Sequence, residues 1–158
     1  RYMDRYVTIP QGCVFYMTEC LATLEGLEKG PAGNTALAAA FSLAQELPED
    51  HMIVVQETEY TGAGKHIQPQ LSFAKDNGIK IFFGDPSEEV PGENIILPNN
   101  PALIKTKEVD LDHMRRSLIK QALEVYNVKE PTDLDVRFLA EETNRDEAFV
   151  REVIKELV

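Results

Sequence analysis

The clearest candidate for binding chemistry in this sequence is a glycine-containing turn before an alanine-rich helix, GPAGNTALAAA from Gly30 to Ala40. Gly30 and Gly33 permit a sharp turn, while Asn34 and Thr35 can cap a helix whose free backbone N–H groups attract anions. The same small residues also suit a helix that packs closely on a sheet without any ligand. The pattern therefore predicts an anion-compatible helix start, with close packing as the main use of the alanines.

A second glycine-containing segment, TGAGKH from Thr61 to His66, follows a candidate strand but is not a P-loop. The motif G-x-x-x-x-G-K-[ST] would need glycine where this chain has Glu59 and a hydroxyl where it has His66. A loop beyond the carboxyl end of a strand can still contact a ligand, because open α/β sheets bind ligands at that edge. His66 could titrate near neutrality, but one histidine does not define a catalytic set.

Metal and disulfide chemistry are not indicated by the cysteines and histidines. Cys13 and Cys20 lie seven residues apart, which is about 10 Å along a helix axis and too far for a disulfide. We expect both to be reduced thiols in the core. His51, His66 and His113 are scattered and no CxxC occurs, so no zinc site is predicted.

Composition excludes some classes of partner. The 158 residues carry 27 acidic side chains against 16 Lys and Arg, a formal net charge of −11, which disfavours nucleic acid and anionic membranes. No window approaches the roughly 20 apolar residues of a membrane span, and no signal peptide is apparent. We expect a cytoplasmic protein. Since the chain opens on Arg1 without an initiator Met, we also expect it to begin inside a longer polypeptide.

The order of predicted elements indicates an α/β fold with parallel strands in its first part. Apolar residues at Val14, Met17 and Leu21 have helical spacing, and Gly26 ends that helix. The other predicted elements are a helix from Asn34 to about Leu47, a strand buried on both faces at His51–Val55, a helix over 70–77 ended by Gly78, a strand at IKIFFG and an edge strand at ENIILP.

The last third of the chain is predicted to be helical, which divides the chain into an α/β domain, 1–105, and a helical subdomain, 106–158. The predicted helix caps are Asp110 or Asp112, Thr132 and Asn144. From Asp133 onward the rhythm suggests a helix-turn-helix, but eight acidic residues face four basic ones, a balance of 4 − 8 = −4. This charge disfavours DNA binding and leaves a helical cap or a dimer contact.

About the first 60 residues resemble the C-terminal part of fold-type II pyridoxal-phosphate enzymes, the group of cysteine synthase, cystathionine β-synthase, threonine synthase and diaminopropionate ammonia-lyase. The shared pattern is a VT start, a helix ending at Glu25 and Gly26, G-P-x-G before the alanine-rich helix, and a valine-rich strand at Ile53–Val55. The resemblance implies a three-layer parallel sheet flanked by helices, similar to tryptophan synthase β, with a helical C-terminal appendage.

The resemblance also implies the positions of a cofactor site. In that group a Ser or Thr just after the last strand faces the pyridine nitrogen, and the matching positions here are Glu57 and Thr58. We favour Thr58, whose neutral hydroxyl would leave the nitrogen largely unprotonated. Gly33 and Asn34 are implied at the cofactor side, and Tyr60 and His66 at the substrate entrance.

A competing alignment of the same turn stays open. PAGNT also resembles the asparagine loop, S-G-N-T, that binds the substrate carboxylate in these enzymes. That loop normally follows a buried strand, whereas Gly30 follows the helical and charged LATLEGLEKG. The alignment with the C-terminal part is therefore preferred.

The longer run from Gly30 to Pro86 is similar to one branch of this group, the thiolase β subunits of ornithine catabolism. This implies cleavage of 2-amino-4-oxopentanoate by CoA to acetyl-CoA and alanine, with pyridoxal phosphate, a small α subunit and a homo-oligomeric assembly. Another fold-type II lyase or synthase, like threonine synthase or diaminopropionate ammonia-lyase, stays open, as does a non-catalytic α/β interaction module whose acidic tail docks a partner.

One departure from the family concerns the catalytic lysine. The group needs a Schiff-base lysine in an S-x-K context and a separate glycine-rich phosphate loop, and this sequence has neither. Lys75 in SFAKDNG has the wrong spacing and lies late in a predicted helix. We therefore expect no catalytic residue in this chain and no activity from it alone.

Overall fold

The structure, a computed structural model, describes residues 5–57 and 66–157. By their internal contacts the described residues form two units. An α/β unit comprises 7–57 and 66–107, and a helical unit comprises 5–6 and 108–157. The fold class is mixed α/β, and the sheets of the described residues have two strands each.

The α/β unit has three α-helices and three complete strands among its described residues, and a fourth strand crosses the unit boundary. Strand β2 pairs with β3 and strand β1 pairs with β4. The elements are β1 (Val7–Thr8), α1 (Gln11–Glu25), α2 (Asn34–Ala44), α3 (Gln68–Asp76), β2 (Lys80–Gly84), a 3-10 turn (Pro86–Glu88), β3 (Asn94–Pro98), a second 3-10 turn (Pro101–Leu103) and β4 (Lys107–Glu108).

Strands β2 and β3 run parallel, in a register that pairs Lys80 with Asn94 and Gly84 with Pro98. Parallel strands and the predicted helices α1 to α3 are confirmed. The connection between β2 and β3 is a short loop with a 3-10 turn rather than an α-helix. The strand predicted at ENIILP carries the buried residues of the sheet, because Ile95, Ile96 and Leu97 are all nearly inaccessible.

The start of α1 is held against β3 by one carboxylate. Glu89 accepts hydrogen bonds from the backbone N–H groups of Gln11 at 2.7 Å, Gly12 at 3.0 Å and Ile96 at 3.0 Å. It therefore satisfies two free N–H groups of the helix and one of the strand. Gly12 permits this contact, since a Cβ there would lie 1.8 Å from the Ile96 carbonyl oxygen.

The predicted strand at His51–Val55 is wrong for the described chain. Residues 51–57 have no regular secondary structure, and Met52 and Val54 are 90% and 89% exposed. A strand forms only by pairing with a neighbour, and no strand of residues 5–57 and 66–157 lies beside this segment. An apolar run is therefore insufficient to specify a strand by itself.

The helical unit contains α4 (Leu111–Val125), α5 (Asp133–Thr143) and α6 (Glu147–Leu157). Asp110 caps α4 through the N–H groups of Asp112 and His113, and Thr132 forms a capping box with Asp135. The buried core joins all three helices and consists of Ile119, Val136, Leu139, Ala140, Phe149, Val150 and Val153.

The cap predicted for the last helix is wrong by two residues. Asn144 ends α5 in the left-handed conformation, φ 53°, and its N–H bonds back to that helix. Asp146 caps α6 instead, by accepting the Phe149 N–H at 2.8 Å. Asn tolerates the left-handed region better than most residues, so the same side chain suits a helix end as well as a start.

The two cysteines are free, as expected. Cys13 is fully buried, and burial raises the pKa of its thiol to about 11. Cys20 is only partly buried, so it is not the core residue that was predicted. Within 5–57 and 66–157, no helix has both the length and the apolar character needed to cross a membrane.

Candidate functional site

The structure describes four of the six predicted site residues, and all four belong to the α/β unit. Gly33 and Asn34 are at the start of α2, and Glu57 is at the end of the segment 51–57. Thr58 and Tyr60 fall outside the described residues. His66 is described and exposed, just before α3, and no printed contact joins it to the other three.

In the turn before α2, Gly30, Pro31 and Gly33 are buried and Ala32 is exposed. The Asn34 N–H donates to the Gly30 carbonyl at 3.2 Å, which closes the turn. Gly33 has φ −63° and ψ −39°, an ordinary right-handed conformation that any residue can adopt. The backbone conformation at this position therefore does not require glycine.

The Asn34 side chain does not cap α2, contrary to the prediction. The helix start has no side-chain cap, and the Asn34 amide instead donates through Nδ2 to Thr18 Oγ1 at 3.1 Å and to the Lys29 carbonyl at 3.2 Å. Asn34 is fully buried and its Oδ1 has no hydrogen-bond partner. A buried polar atom without a hydrogen bond lowers the stability of the fold by about 1–3 kcal/mol. Asn34 Oδ1 is therefore an acceptor that a donor group could satisfy.

Glu57 presents a second set of unsatisfied atoms. Both of its carboxylate oxygens are buried and neither has a hydrogen-bond partner. Burial raises the pKa of Glu57, because a charged carboxylate is disfavoured away from water, and the positive charge of Lys29 partly opposes that effect. The carboxylate thus lacks the donors that a buried anion requires.

Lys29 connects these two groups. Its carbonyl oxygen accepts the Asn34 amide, and its ammonium is the charge that acts on Glu57. The start of α2 and the end of segment 51–57 therefore adjoin one residue. Asn34 Oδ1 and the two Glu57 carboxylate oxygens are each buried without a hydrogen-bond partner, so each could accept a hydrogen bond from a donor group.

Sequence patterns gave no sign of Thr18 or Lys29. Thr18 lies inside α1, where its hydroxyl donates to the Val14 carbonyl at 2.8 Å and accepts from Asn34. Its burial among the apolar residues of α1 is visible only in the structure. Lys29 contributes its main-chain carbonyl, which no side-chain motif reveals.

A groove of about 1260 Å³ lies elsewhere in the α/β unit. Its walls include Phe15, Ile79 and Ile95, with Lys105 and Lys107 also present. No predicted cofactor or substrate residue that the structure describes lines it. The groove is therefore separate from the candidate site. In the described part of the chain, no group of three or more His, Cys, Asp and Glu could hold a metal ion.

Comparison with known proteins gives a specific match of partial length. Two curated relatives that it matches are thiolase subunits. The chain is 66% identical over 157 residues to the 2-amino-4-ketopentanoate thiolase beta subunit of Acetoanaerobium sticklandii, covering 99% of this chain and 34% of that protein. A protein of the same description from an unknown prokaryotic organism is 59% identical over 157 residues, covering 99% and 33%.

The chain therefore spans about a third of the length of the curated relatives it matches. It is similar to a segment of a thiolase beta subunit, and the predicted resemblance is confirmed. No family model matches the chain. No solved structure matches it.

Proposed function

We propose that this chain is the C-terminal segment of a 2-amino-4-ketopentanoate thiolase β subunit, a pyridoxal-phosphate enzyme of fold type II in ornithine degradation. The observation that carries the proposal is the 66% identity over nearly the whole chain to a subunit of that description. The reaction is cleavage of 2-amino-4-oxopentanoate by CoA to acetyl-CoA and alanine. The segment alone is inactive, because its sequence has no Schiff-base lysine motif.

The candidate site supports a cofactor of this kind. When bound, pyridoxal phosphate supplies a ring that withdraws electrons from the bonds that break in the substrate amino acid. The unpartnered Asn34 Oδ1 and Glu57 carboxylate suit a ligand that carries N–H or O–H groups. Glu57 and Thr58 hold the ring, Gly33 and Asn34 lie beside the cofactor, and Tyr60 and His66 contact the substrate.

The proposed fold assigns 1–105 to the C-terminal part of a three-layer fold-type II domain and 106–158 to a helical subdomain. Met52 and Val54 support this assignment, because they are apolar yet almost fully exposed in the described chain. In a complete three-layer sheet they would be buried in a strand. The proposed partners are an α subunit, as the description of a β subunit suggests, and further copies of the subunit.

The test uses the full-length β subunit co-expressed with its α subunit. We expect an absorbance band at about 410–430 nm that borohydride abolishes, and acetyl-CoA formation that requires both 2-amino-4-oxopentanoate and CoA. The 158-residue chain, purified as a control, should show neither. A full-length complex without the band contradicts the cofactor, and a band with activity on a different amino acid only would identify another fold-type II enzyme.

A further inference from the structure

We infer that two copies of the full-length β subunit join at the outer edge of strand β2, by antiparallel pairing of β2 with the β2 of the second copy. The inference rests on the proposed function in one respect, since it gives the proposed homo-oligomer a defined interface. It does not depend on the cofactor or on the reaction.

The first support is that the outer edge of β3 is closed. Successive residues of a strand point their backbone groups to opposite sides. On the side of β3 that faces away from β2, Glu89 accepts the Ile96 N–H at 3.0 Å. Gly12 of α1 lies directly against the Ile96 carbonyl. This edge of the sheet therefore offers no place for a further strand.

The outer edge of β2 is open in the part of the chain that the structure describes. Lys80 donates its N–H to the Glu93 carbonyl on the β3 side, so the N–H and C=O groups of Ile81 and Phe83 point away from β3. Among residues 5–57 and 66–157, β3 is the only strand beside β2, and no hydrogen bond reaches these groups.

The residues of this edge do nothing to discourage pairing. Natural proteins protect free edges with charged side chains, proline or bulges, and the stretch from Ile81 to Phe83 has neither a charge nor a proline. Phe82 and Phe83 are 44% and 69% exposed. An open, apolar edge of this kind is a surface on which another strand adds by backbone hydrogen bonds.

The second support is that β2 is complementary to itself. Antiparallel pairing about a two-fold axis at Phe82 places Ile81 opposite Phe83 of the second copy, where the two residues exchange both N–H···O=C hydrogen bonds. The symmetric contact uses the same edge on both copies, so it closes and leaves neither β2 edge open. Phe82 then faces Phe82 of the second copy, which forms a cross-strand aromatic pair.

The third support is charge. Lys80 begins β2 and Asp85 follows its last residue. In the antiparallel arrangement, Lys80 of each copy lies at the end of the sheet where Asp85 of the other copy lies, so opposite charges attract at both ends. Parallel pairing would bring the two lysines together instead. Since the chain has a formal net charge of −11, two copies repel each other elsewhere, and this local match selects where they meet.

The experiment uses the full-length β subunit, co-expressed with its α subunit, and tests whether position 82 meets itself in the assembly. The Cα atoms of two opposed residues that share no hydrogen bond lie about 4.5 Å apart, which is within the range of a disulfide. Phe82→Cys should therefore give a disulfide-linked β dimer on mild oxidation, with at least about half of the subunit linked. A non-reducing gel measures the linked fraction, and a reductant should abolish it.

Phe83→Cys is the matched control, because it places the same thiol at the next position of the same strand. Its counterpart in the second copy is offset by two residues along the strand, which puts the two Cα atoms about 9 Å apart. A disulfide needs less than about 7 Å, so we expect only the wild-type background. Equal linking in the two variants would indicate random collision and overturn the inference.

A second pair of variants tests the backbone groups. Phe83→Pro removes the N–H at the outer edge and leaves the bonds to β3 in place, the arrangement in which an edge strand tolerates proline. It should weaken the association of β subunits about tenfold or more, whereas Phe83→Ala keeps the N–H and should weaken it less. Sedimentation on dilution measures both, and circular dichroism checks folding. A proline variant that associates no more weakly than the alanine variant contradicts pairing through the strand.

The outcomes separate the inference from the proposed function. An oligomeric wild-type subunit whose Phe82→Cys variant does not link joins through another surface, which overturns the inference. A Phe82→Cys thiol that resists both linking and alkylation is covered by the rest of its own subunit, which overturns it as well. In both cases the cofactor band and acetyl-CoA formation still decide the proposed function. A linked Phe82→Cys dimer without either of them refutes the reaction and leaves the interface in place.

Discussion

The helical unit and the candidate site of the α/β unit differ in how completely their apolar side chains are buried and their polar groups are hydrogen-bonded. In the helical unit, buried apolar residues of all three helices form one core. The helix starts are capped by Asp110, Thr132 and Asp146. In the α/β unit, Met52 and Val54 are exposed, and the buried polar atoms of Asn34 and Glu57 lack partners. In the helical unit, local sequence signals identified two of these three caps, Asp110 and Thr132.

Ion pairs strengthen this contrast. Arg116 of α4 donates to Glu156 at 2.6 Å and to Glu152 at 3.0 Å, both on α6, and its guanidinium lies 5.2 Å from the centroid of the Phe149 ring. Arg145 covers the same ring at 4.8 Å. These contacts join helices within one unit, so the acidic tail forms its own core.

The largest expected effect is at the core of the helical unit. Ile119→Ala removes a fully buried side chain that joins α4 to α5 and α6, and should lower the free energy of unfolding by about 3–4 kcal/mol. Val54→Ala, at an 89% exposed position, should change it by less than about 0.5 kcal/mol. Urea denaturation followed by circular dichroism measures both. A loss of more than about 1 kcal/mol for Val54→Ala in the full-length subunit would mean that Val54 is buried there. The proposed difference in burial between the two units would then be wrong.

Gly12→Ala tests whether the α/β unit is packed as closely where α1 meets β3 as the helical unit is in its core. The new Cβ would overlap the Ile96 carbonyl, which is main chain and cannot rotate away, so we expect a loss of about 2–3 kcal/mol in unfolding free energy. Gly78→Ala is the matched control, since nothing lies within 4 Å but φ is +82°. Its expected cost is about 1 kcal/mol. Equal losses in the two variants would argue against close packing at Gly12.

A smaller effect is expected at the start of α5. Thr132→Ala removes the hydroxyl that accepts from the Asp135 N–H and donates to its carboxylate, and should destabilise the protein by about 1 kcal/mol. Thr132→Ser keeps the hydroxyl and should stay near the wild type. The thermal midpoint of the helical signal measures both, and a Ser variant as unstable as the Ala variant would exclude the capping box as the cause.

The smallest effect concerns the acid stability of the same cap. The pKa of Asp135 is lowered by the hydrogen bonds from the Thr132 hydroxyl and backbone N–H. Its stabilising contribution is therefore present above the ordinary value of 3.8 and is lost as the pH falls through the lower folded value. Asp135→Asn should unfold with a weaker pH dependence below about pH 4. A variant with the wild-type slope in an acid titration by circular dichroism would contradict this assignment.

Much of the fold followed from local patterns. The helices α1 and α4 to α6 were predicted from apolar spacing and caps, and β2 and β3 from short apolar runs near glycine and proline. Gly26, at φ 67°, ends α1 as predicted. These features depend on residues within a few positions of one another, so the sequence contains the information needed to place them.

The candidate site was predictable only in part, through a resemblance. Gly33, Asn34 and Glu57 were expected near a cofactor, but Asn34 was expected to cap a helix and instead bonds to Thr18, 16 residues earlier. Glu57 was a minor candidate beside Thr58 until its buried and unpartnered oxygens were seen. Both differences arise from contacts between segments, which local spacing does not describe.

The amino-acid sequence by itself determined which segments are helical to within a few residues, the free state of the cysteines, the acidic composition and the resemblance to a thiolase subunit. The tertiary structure decided that residues 51–55 do not pair as a strand, that Glu89 joins α1 to β3, and that Asn34 and Glu57 share Lys29 as a neighbour. The physical reason is that caps and turns are satisfied by nearby residues. Strand pairing, burial and the satisfaction of a buried charge depend on whichever segments fold against them.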